Sequence, residues 1–244
     1  MTVGRQPTDE SASVEVVDAD QVNAIVFDVI GTLVDEDGTW ATVARRLATE
    51  AGVDDGDALY TAWAEILERH MNAVVDGTTS WRPHRQLVTD SAREAITQAG
   101  GNPSPAALAL VQNLDSEYPA WPDVAPATAA LRKDFLVAGV SNGDLDSLAR
   151  LTNTNAISWD AALSTGSVRT FKPAPAAYQY AIEALRLDPA RTLFVAAHPW
   201  DLRAAAEHGF RTAYVARPGA QRPSADDRFD LHTDDLAALV ESLS

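Results

Sequence analysis

The chain has no cysteine, which excludes disulfides, thiolate metal sites and cysteine nucleophiles together. It also has no apolar stretch near the eighteen or so residues of a transmembrane helix, so no membrane partner is expected. The opening segment, MTVGRQPTDESASVEVVDADQ, is polar and acidic. It lacks the apolar core of a signal peptide, and a cytoplasmic location is the expectation. Lysine is nearly missing: of 19 basic residues only Lys133 and Lys172 are lysines. Acidic residues number 35, for a formal net charge of −16. A surface that negative repels nucleic acid and anionic membranes. It also slows the capture of an anionic substrate unless the site carries positive charge of its own. Abundant carboxylates with little lysine suit a protein kept soluble at high salt, and a GC-rich genome favours the same Arg, Ala and Asp. In either case a lysine inside a motif stands out.

What is present suits one large domain, or a core with a smaller domain inserted: 244 residues, 46% of them hydrophobic. Residues 1–21 read as a solvated tail. Ala24-Ile25-Val26-Phe27 is an apolar run ending in Asp28, the pattern of a buried strand, with Gly31-Thr32 as a tight turn behind it. From about Trp40 to Glu117 the spacing is helical. Apolar residues recur three and four apart in 41–48, 58–75, 86–97 and 105–114, with no strand between them. Pro119 and Pro122 close this stretch as a hinge. The pattern then alternates: helix 127–133, strand 135–140, helix 145–151, strand 161–163, helix 175–185, strand 193–197, helix 201–208, strand 212–215. Such alternation predicts parallel pairing through right-handed crossovers, hence an α/β fold with a doubly wound parallel sheet. The expected layout is a tail (1–21), a first core segment with the candidate nucleophile (22–38), a helical cap (39–119) and the rest of the core (120–244).

In such a sheet ligands sit beyond the carboxyl ends of the strands, so the polar residues there are the candidates. Asp28 is either a turn-capping carboxylate or a nucleophile held by its surroundings. Ser141-Asn142-Gly143 offers a hydroxyl, an amide and a bare backbone N–H. That suits a small carboxylate or oxyanion, and equally an ordinary turn with a helix cap. Lys172, in Phe171-Lys172-Pro173, is a solvated surface lysine or the partner that keeps Asp28 ionised. Asp201 is a helix N-cap, or it pairs with Lys172 or positions a water. Neither composition nor spacing chooses among these.

The four segments together resemble a known family. Phe27-Asp28-Val29-Ile30-Gly31-Thr32-Leu33 looks like the first motif of the HAD superfamily of hydrolases. Ser141-Asn142-Gly143-Asp144 resembles the second, Phe171-Lys172-Pro173 the third and Ala196-Ala197-His198-Pro199-Trp200-Asp201 the fourth. Within the superfamily they are most similar to the type II, or (S)-2-haloacid, dehalogenases, and Tyr178 falls where that family carries an active-site tyrosine. HAD phosphatases carry a second aspartate two residues after the nucleophile, which protonates the leaving alcohol. Here that position is Ile30, which has no proton to give, whereas a halide leaves as a stable anion without one. The resemblance therefore implies an HAD core with an inserted helical cap and hydrolysis of short 2-haloacids through an ester on Asp28. It also implies no metal or other cofactor, and a homodimer. Lys172 would hold Asp28 ionised and Thr32 would support its side chain. Asp201 would hold Lys172 and help position water. Ser141 and the Asn142 N–H would bind the substrate carboxylate, which Tyr178 would line.

Two positions depart from that pattern. The better-studied dehalogenases carry a halide-cradling arginine directly after the tryptophan that Trp63 resembles, where this chain has Ala64. Arg69, Arg82 or Arg85 are the candidates to replace it. The fourth motif often has serine and asparagine where Ala196 and His198 stand. His198 then replaces the asparagine near water or halide, acts as a base near neutral pH, or is a helix-entry histidine bonded to backbone. Trp63 and Trp200 are candidate pocket walls. Besides dehalogenation, two readings stay open: the same ester chemistry on another electrophilic carbon, such as a strained ring, and a non-enzymatic binding protein on this scaffold.

Overall fold

Strand β1 (Ala24–Asp28) is buried along its whole length, as a parallel strand covered on both faces should be. A computed structural model describes residues 21–244; the tail expected at 1–21 lies outside the described residues except for Gln21. Beside β1 run β2 (Leu136–Ser141) and β4 (Thr192–Ala196). β3 (Ala161–Ser164) lies outside β2, and β5 (Arg211–Val215) then β6 (Leu231–Thr233) lie outside β4. The order is β3-β2-β1-β4-β5-β6, and every pairing is parallel. The chain builds outward from β1 on one side and returns to build on the other, so β1 lies at the topological switch point, where a crevice opens. Register keeps the carboxyl ends level: Asp28 is opposite Val140, next to Ser141, and Phe27 is opposite Val195.

A helical insert follows β1: α1 (Glu36–Ala51), α2 (Gly56–Val75), α3 (His84–Gln98) and the short α4 (Pro105–Ala109). Helix α1 starts where the Asp35 carboxylate accepts the Gly38 N–H, and it ends at Gly52 with φ 72°, a left-handed cap that glycine adopts without strain. Helix α3 has no side-chain cap of its own. Its first N–H groups, on His84 and Arg85, donate to the Asp144 carboxylate in the loop after β2, tying the insert to the core. The remaining helices, α5 (Val124–Leu131), α6 (Leu145–Asn155), α7 (Pro175–Leu185), α8 (Pro199–Glu207) and α9 (Leu236–Ser242), flank the sheet.

Side chains alternate across a strand, and the core divides accordingly. Ile25, Phe27, Val137, Leu193 and Val195 belong to an apolar cluster that continues into the insert through Trp40, Leu47, Trp63, Leu87 and Ile96. Val26, Val140, Phe194 and Ala196 pack instead with Tyr178 of α7 and Leu202 of α8. Asp28 has the parity of Val26, which directs it toward α7 and α8.

The fourth expected helix is shorter than its spacing suggested. After Ala109 the chain turns, with a 3-10 segment at Leu114–Ser116. There Asp115 and Ser116 bond across to Ser147, side-chain bonds that compete with helical ones. Strand β6 and helix α9 were not expected at all. They span three and seven residues, too few for periodicity to register.

Gly139 on β2 faces Phe27, and a Cβ there would lie 2.7 Å from the Trp159 ring and 3.0 Å from Val29. Gly139→Ala should therefore destabilise by about 1–3 kcal/mol through overpacking. A urea melt should show a lower midpoint with an unchanged slope; an unchanged midpoint would mean that the Trp159 ring yields freely.

Candidate active site

Asp28 closes β1 with both carboxylate oxygens engaged. Oδ1 accepts from Lys172 Nζ at 2.6 Å, and Oδ2 from Thr32 Oγ1 at 2.6 Å. Thr32 in turn accepts the Ala197 N–H at 2.9 Å, which ties the loop after β1 to the end of β4. Lys172 Nζ donates a second bond to Asp201 Oδ2 at 2.5 Å, and the other Asp201 oxygen accepts the Tyr178 hydroxyl at 2.5 Å. Asn142 positions the lysine from behind: its Oδ1 accepts the Lys172 N–H at 2.7 Å and the Thr165 hydroxyl at 3.1 Å. Sequence separations of 144 and 29 residues meet at this one ammonium.

The electrostatics follow from burial. Burial alone would raise the Asp28 carboxyl; the Lys172 and His198 charges and the bonds from Lys172 and Thr32 outweigh it, so it lies below its ordinary value. Burial likewise works against the Lys172 ammonium, but Asp201 and Asp28 hold it charged above its usual range. At Asp201 burial wins over Lys172, with Asp28 adding to it, and the carboxyl is pushed up. The same burial, helped by Asp201, raises the Tyr178 hydroxyl, so it stays a donor. Two carboxylates thus share one cation, and Asp28 is the more acidic of the two.

His198 sits against this group, with Nε2 3.2 Å from the Ile30 carbonyl and 3.6 Å from Asp28 Oδ2. Both neighbours are acceptors, so that nitrogen carries the hydrogen. The ring fits only because residue 31 is glycine: φ there is +81°, and a Cβ would fall 2.5 Å from Nε2. Trp200 stacks on the imidazole at 5.7 Å.

A cavity of about 400 Å³ opens onto Lys172 and Asn142, walled by Trp40, Ala64, Trp200 and Glu36. Its size suits a small organic acid. Ser141 is buried, and its Oγ accepts the Gly143 N–H at 3.1 Å.

The structure gathers Asp28, Thr32, Lys172, Asp201 and His198 at one point, with Ser141 and Asn142 at the adjoining turn. Three expectations change. Tyr178, expected beside the substrate carboxylate, is fully buried and holds Asp201. Trp63, expected as a pocket wall, lies behind Trp40, stacked on it at 4.0 Å, with its N–H on Val88 O. None of the three arginines reaches the cavity: Arg69 pairs with Glu94, Arg82 with Asp90, and Arg85 with Asp144 and Asp146. Among the described residues no arginine lines it. Sequence reasoning also missed Arg217, whose Nε donates to Thr32 O while Nη1 pairs with Asp123, and Glu36, a cavity residue. Neither stands in a motif.

The residues do not fit a divalent cation of the kind phosphatase relatives use. The Ile30 side chain offers no oxygen, its carbonyl faces His198 Nε2 at 3.2 Å, and Lys172 already bridges Asp28 and Asp201. Among the described residues no cluster of three His, Asp or Glu side chains is placed to hold a metal ion.

The chain is similar to known proteins over most of its length. A family model described as haloacid dehalogenase-like hydrolase matches residues 22–209. An (S)-2-haloacid dehalogenase 4A from Burkholderia cepacia is 27% identical over 204 residues, covering 82% of this chain and 85% of its own. One from Xanthobacter autotrophicus is 29% identical over 201 residues, covering 80% and 76%. The crystal structure of an L-2-haloacid dehalogenase superposes with TM-score 0.82 at 29% identity, covering 91% of this chain and all of the other (100%).

Lys172→Met should leave two buried carboxylates uncompensated, at a cost of about 3–5 kcal/mol at neutral pH. In the wild type, the depressed Asp28 pKa contributes stability above the unfolded value, which is lost as pH falls through the folded one. In the variant both carboxyls would be raised, so the penalty applies at high pH and fades toward about pH 4. Denaturant melts of both proteins at several pH values test this: a deficit that does not shrink on acidification would show that packing, not charge, is what Lys172 supplies.

Proposed function

The chain belongs to the haloacid dehalogenase-like hydrolase family, and from that premise we propose that it hydrolyses short 2-haloalkanoic acids to 2-hydroxy acids without a metal, through an ester on Asp28. The observation that carries this reading is the buried Asp28–Lys172–Asp201 group, whose lysine also lines a cavity of about 400 Å³. Residues 39–119 serve as the cap over that cavity and residues 22–38 with 120–244 as the core. The relevant partner is a small molecule rather than nucleic acid or membrane.

In the first half-reaction a carboxylate oxygen of Asp28 attacks C2 from the side opposite the halogen. A C–O bond forms, the C–halogen bond breaks with its electron pair, and the configuration inverts. Lys172 keeps the attacking group ionised, and Thr32 fixes its rotamer. The Ser141 hydroxyl and the backbone of Asn142 bind the substrate carboxylate. In the second half-reaction water adds to Asp28 Cγ, the ester Cγ–O bond breaks, and the hydroxy acid leaves with one proton released overall. The Nε2–H of His198, 3.6 Å from Asp28 Oδ2, is placed to donate to charge that builds on this carboxyl. Tyr178 acts through Asp201, which it holds.

One observation favours a second reading. No arginine lines the cavity among the described residues, and the position after Trp63 is Ala64. A leaving group that needs no cationic cradle, on another electrophilic carbon, would suit the same Asp28 chemistry.

Halide release from each enantiomer of 2-chloro- and 2-bromopropionate, with a chelator present, separates the two. Turnover of the (S)-enantiomer alone, abolished in Asp28→Asn, is the expected outcome. A folded wild-type protein that frees no halide from either acid would end the dehalogenase reading and favour the second.

A further inference from the structure

The hydrolytic half-reaction needs a base, and the obvious groups are occupied. Asp201 is fully buried, with one oxygen on Lys172 and the other on Tyr178. His198 turns a protonated nitrogen toward Asp28, because the Ile30 carbonyl and Asp28 Oδ2 are both acceptors. Thr32 spends its hydrogen on Asp28. A water attacking Asp28 Cγ must hand its proton to something else.

Glu36 is an acid that lines both cavities adjoining this group. It lies in the first turn of α1, six residues after Ile30 along a loop that bends around the nucleophile. Its side chain is part of the wall of the 400 Å³ cavity that reaches Lys172, and also of a 120 Å³ cavity bounded by Gly31 and His198. Unlike every carboxylate in the nucleophile group, it makes no hydrogen bond or ion pair among the described residues. The other acids of the large cavity are less suited. Asp37 is exposed and accepts the Tyr60 hydroxyl at 2.8 Å, and Glu68 is exposed on the cap helix α2.

We propose that Glu36 is the general base of the second half-reaction: it takes a proton from the water that attacks Asp28 Cγ and returns it to the 2-alkoxide as that oxygen leaves. This rests on the ester chemistry at Asp28 proposed above. The balance is complete without a further reactant. Water adds its oxygen to Cγ as Glu36 takes a proton. The tetrahedral carbon then expels the alkoxide, breaking the ester Cγ–O bond, and Glu36 protonates it. Asp28 is left as the acid and ionises to solvent.

The groups facing Glu36 tune it for this. Burial pushes its carboxyl up to about 7; His84 at the start of α3 and His198 before α8 pull it down, while its neighbour Asp37 and the nucleophile Asp28 push it up. Asp28 lies low and Glu36 high, the separation of two nearby carboxyls that divides nucleophile from acid–base group. Esterification removes the Asp28 charge, and with it one of the two carboxylates that hold the Glu36 proton. Glu36 therefore ionises more readily once the intermediate it must hydrolyse has formed.

The test is Glu36→Gln beside Glu36→Asp and wild type, with (S)-2-bromopropionate. Expected for Glu36→Gln is a burst of about one halide per site, then turnover slowed about 100-fold or more. Intact-protein mass should show one propionate unit retained on Asp28. Wild-type kcat should fall on acidification, with its limb below the value of about 7 that Glu36 has while Asp28 is charged, a limb absent from Glu36→Gln and shifted but present in Glu36→Asp. A folded Glu36→Gln enzyme with wild-type kcat and pH profile overturns the assignment, as does a folded variant with no burst, which would put Glu36 in the first half-reaction. If wild type itself frees no halide, the dehalogenase reading fails and this assignment falls with it, a result distinct from either of the others.

Discussion

One buried ammonium between two buried carboxylates is the constraint on which the rest of the site depends. Lys172 lies 2.6 Å from Asp28 and 2.5 Å from Asp201, with all three side chains almost wholly out of water. Burying charge is expensive unless each member is paired and bonded, and here every oxygen of the two acids has a donor. Thr32 completes Asp28 and Tyr178 completes Asp201. Because the group is saturated it is rigid, and because its charges do not cancel the acid with fewer compensating contacts is the one pushed up. That asymmetry leaves Asp28 the more acidic carboxyl of the two.

The fold meets this constraint from separate strand ends. β1 delivers Asp28, the turn after β2 delivers Asn142 to grip the Lys172 backbone, and the segment after β4 delivers Ala197, His198 and Asp201. Their convergence requires β1 to lie between β2 and β4 with level ends, which is the observed order and register. The helical insert is joined to the same group by Asp144, two residues past Asn142, which caps α3 and pairs with Arg85. Arg85 therefore ties the helical insert to the loop after β2 and does not line the cavity.

Most of this was legible because it is periodic or motif-borne. The buried run before Asp28, the alternation after residue 122 and the helical stretch before it each state their element through spacing, and the four short motifs supplied the nucleophile, its lysine and the second carboxylate. What spacing does not carry is direction. Tyr178 stood at the expected position, yet the face of α7 it occupies turns its hydroxyl to Asp201 instead of the cavity. Trp63 and Trp40 are both aromatic residues on cap helices, and which one stacks in front is decided by three-dimensional packing alone. Glu36 was illegible for a different reason: it reads as an ordinary first-turn acid, favourable at a helix N-terminus, and only the closing of the loop after β1 places it by the nucleophile. β6 and α9 are too short to announce themselves.

The charge of the whole molecule bears on how such a site takes an anion. The lysine is already outweighed by its two acids, no arginine lines the cavity among the described residues, and the chain carries −16 overall. Under the proposed function, attraction over distance therefore would not draw a carboxylate substrate in, and recognition would fall to short-range donors, the Ser141 hydroxyl and the backbone beyond β2. Two circumstances lessen the repulsion. At roughly 1 M salt charges are screened within about 3 Å, so there the acidic surface stops opposing an anion except at contact. And a carboxyl held near 7 at the cavity wall is largely neutral when a second negative charge comes close, since that charge raises its proton affinity further. The feature that makes Glu36 a base after the ester forms is thus the same one that makes it tolerable before: its charge follows the charge around it. An arginine in the insert would stabilise the departing halide in the first half-reaction only, whereas a responsive acid removes repulsion in one half-reaction and provides basicity in the other.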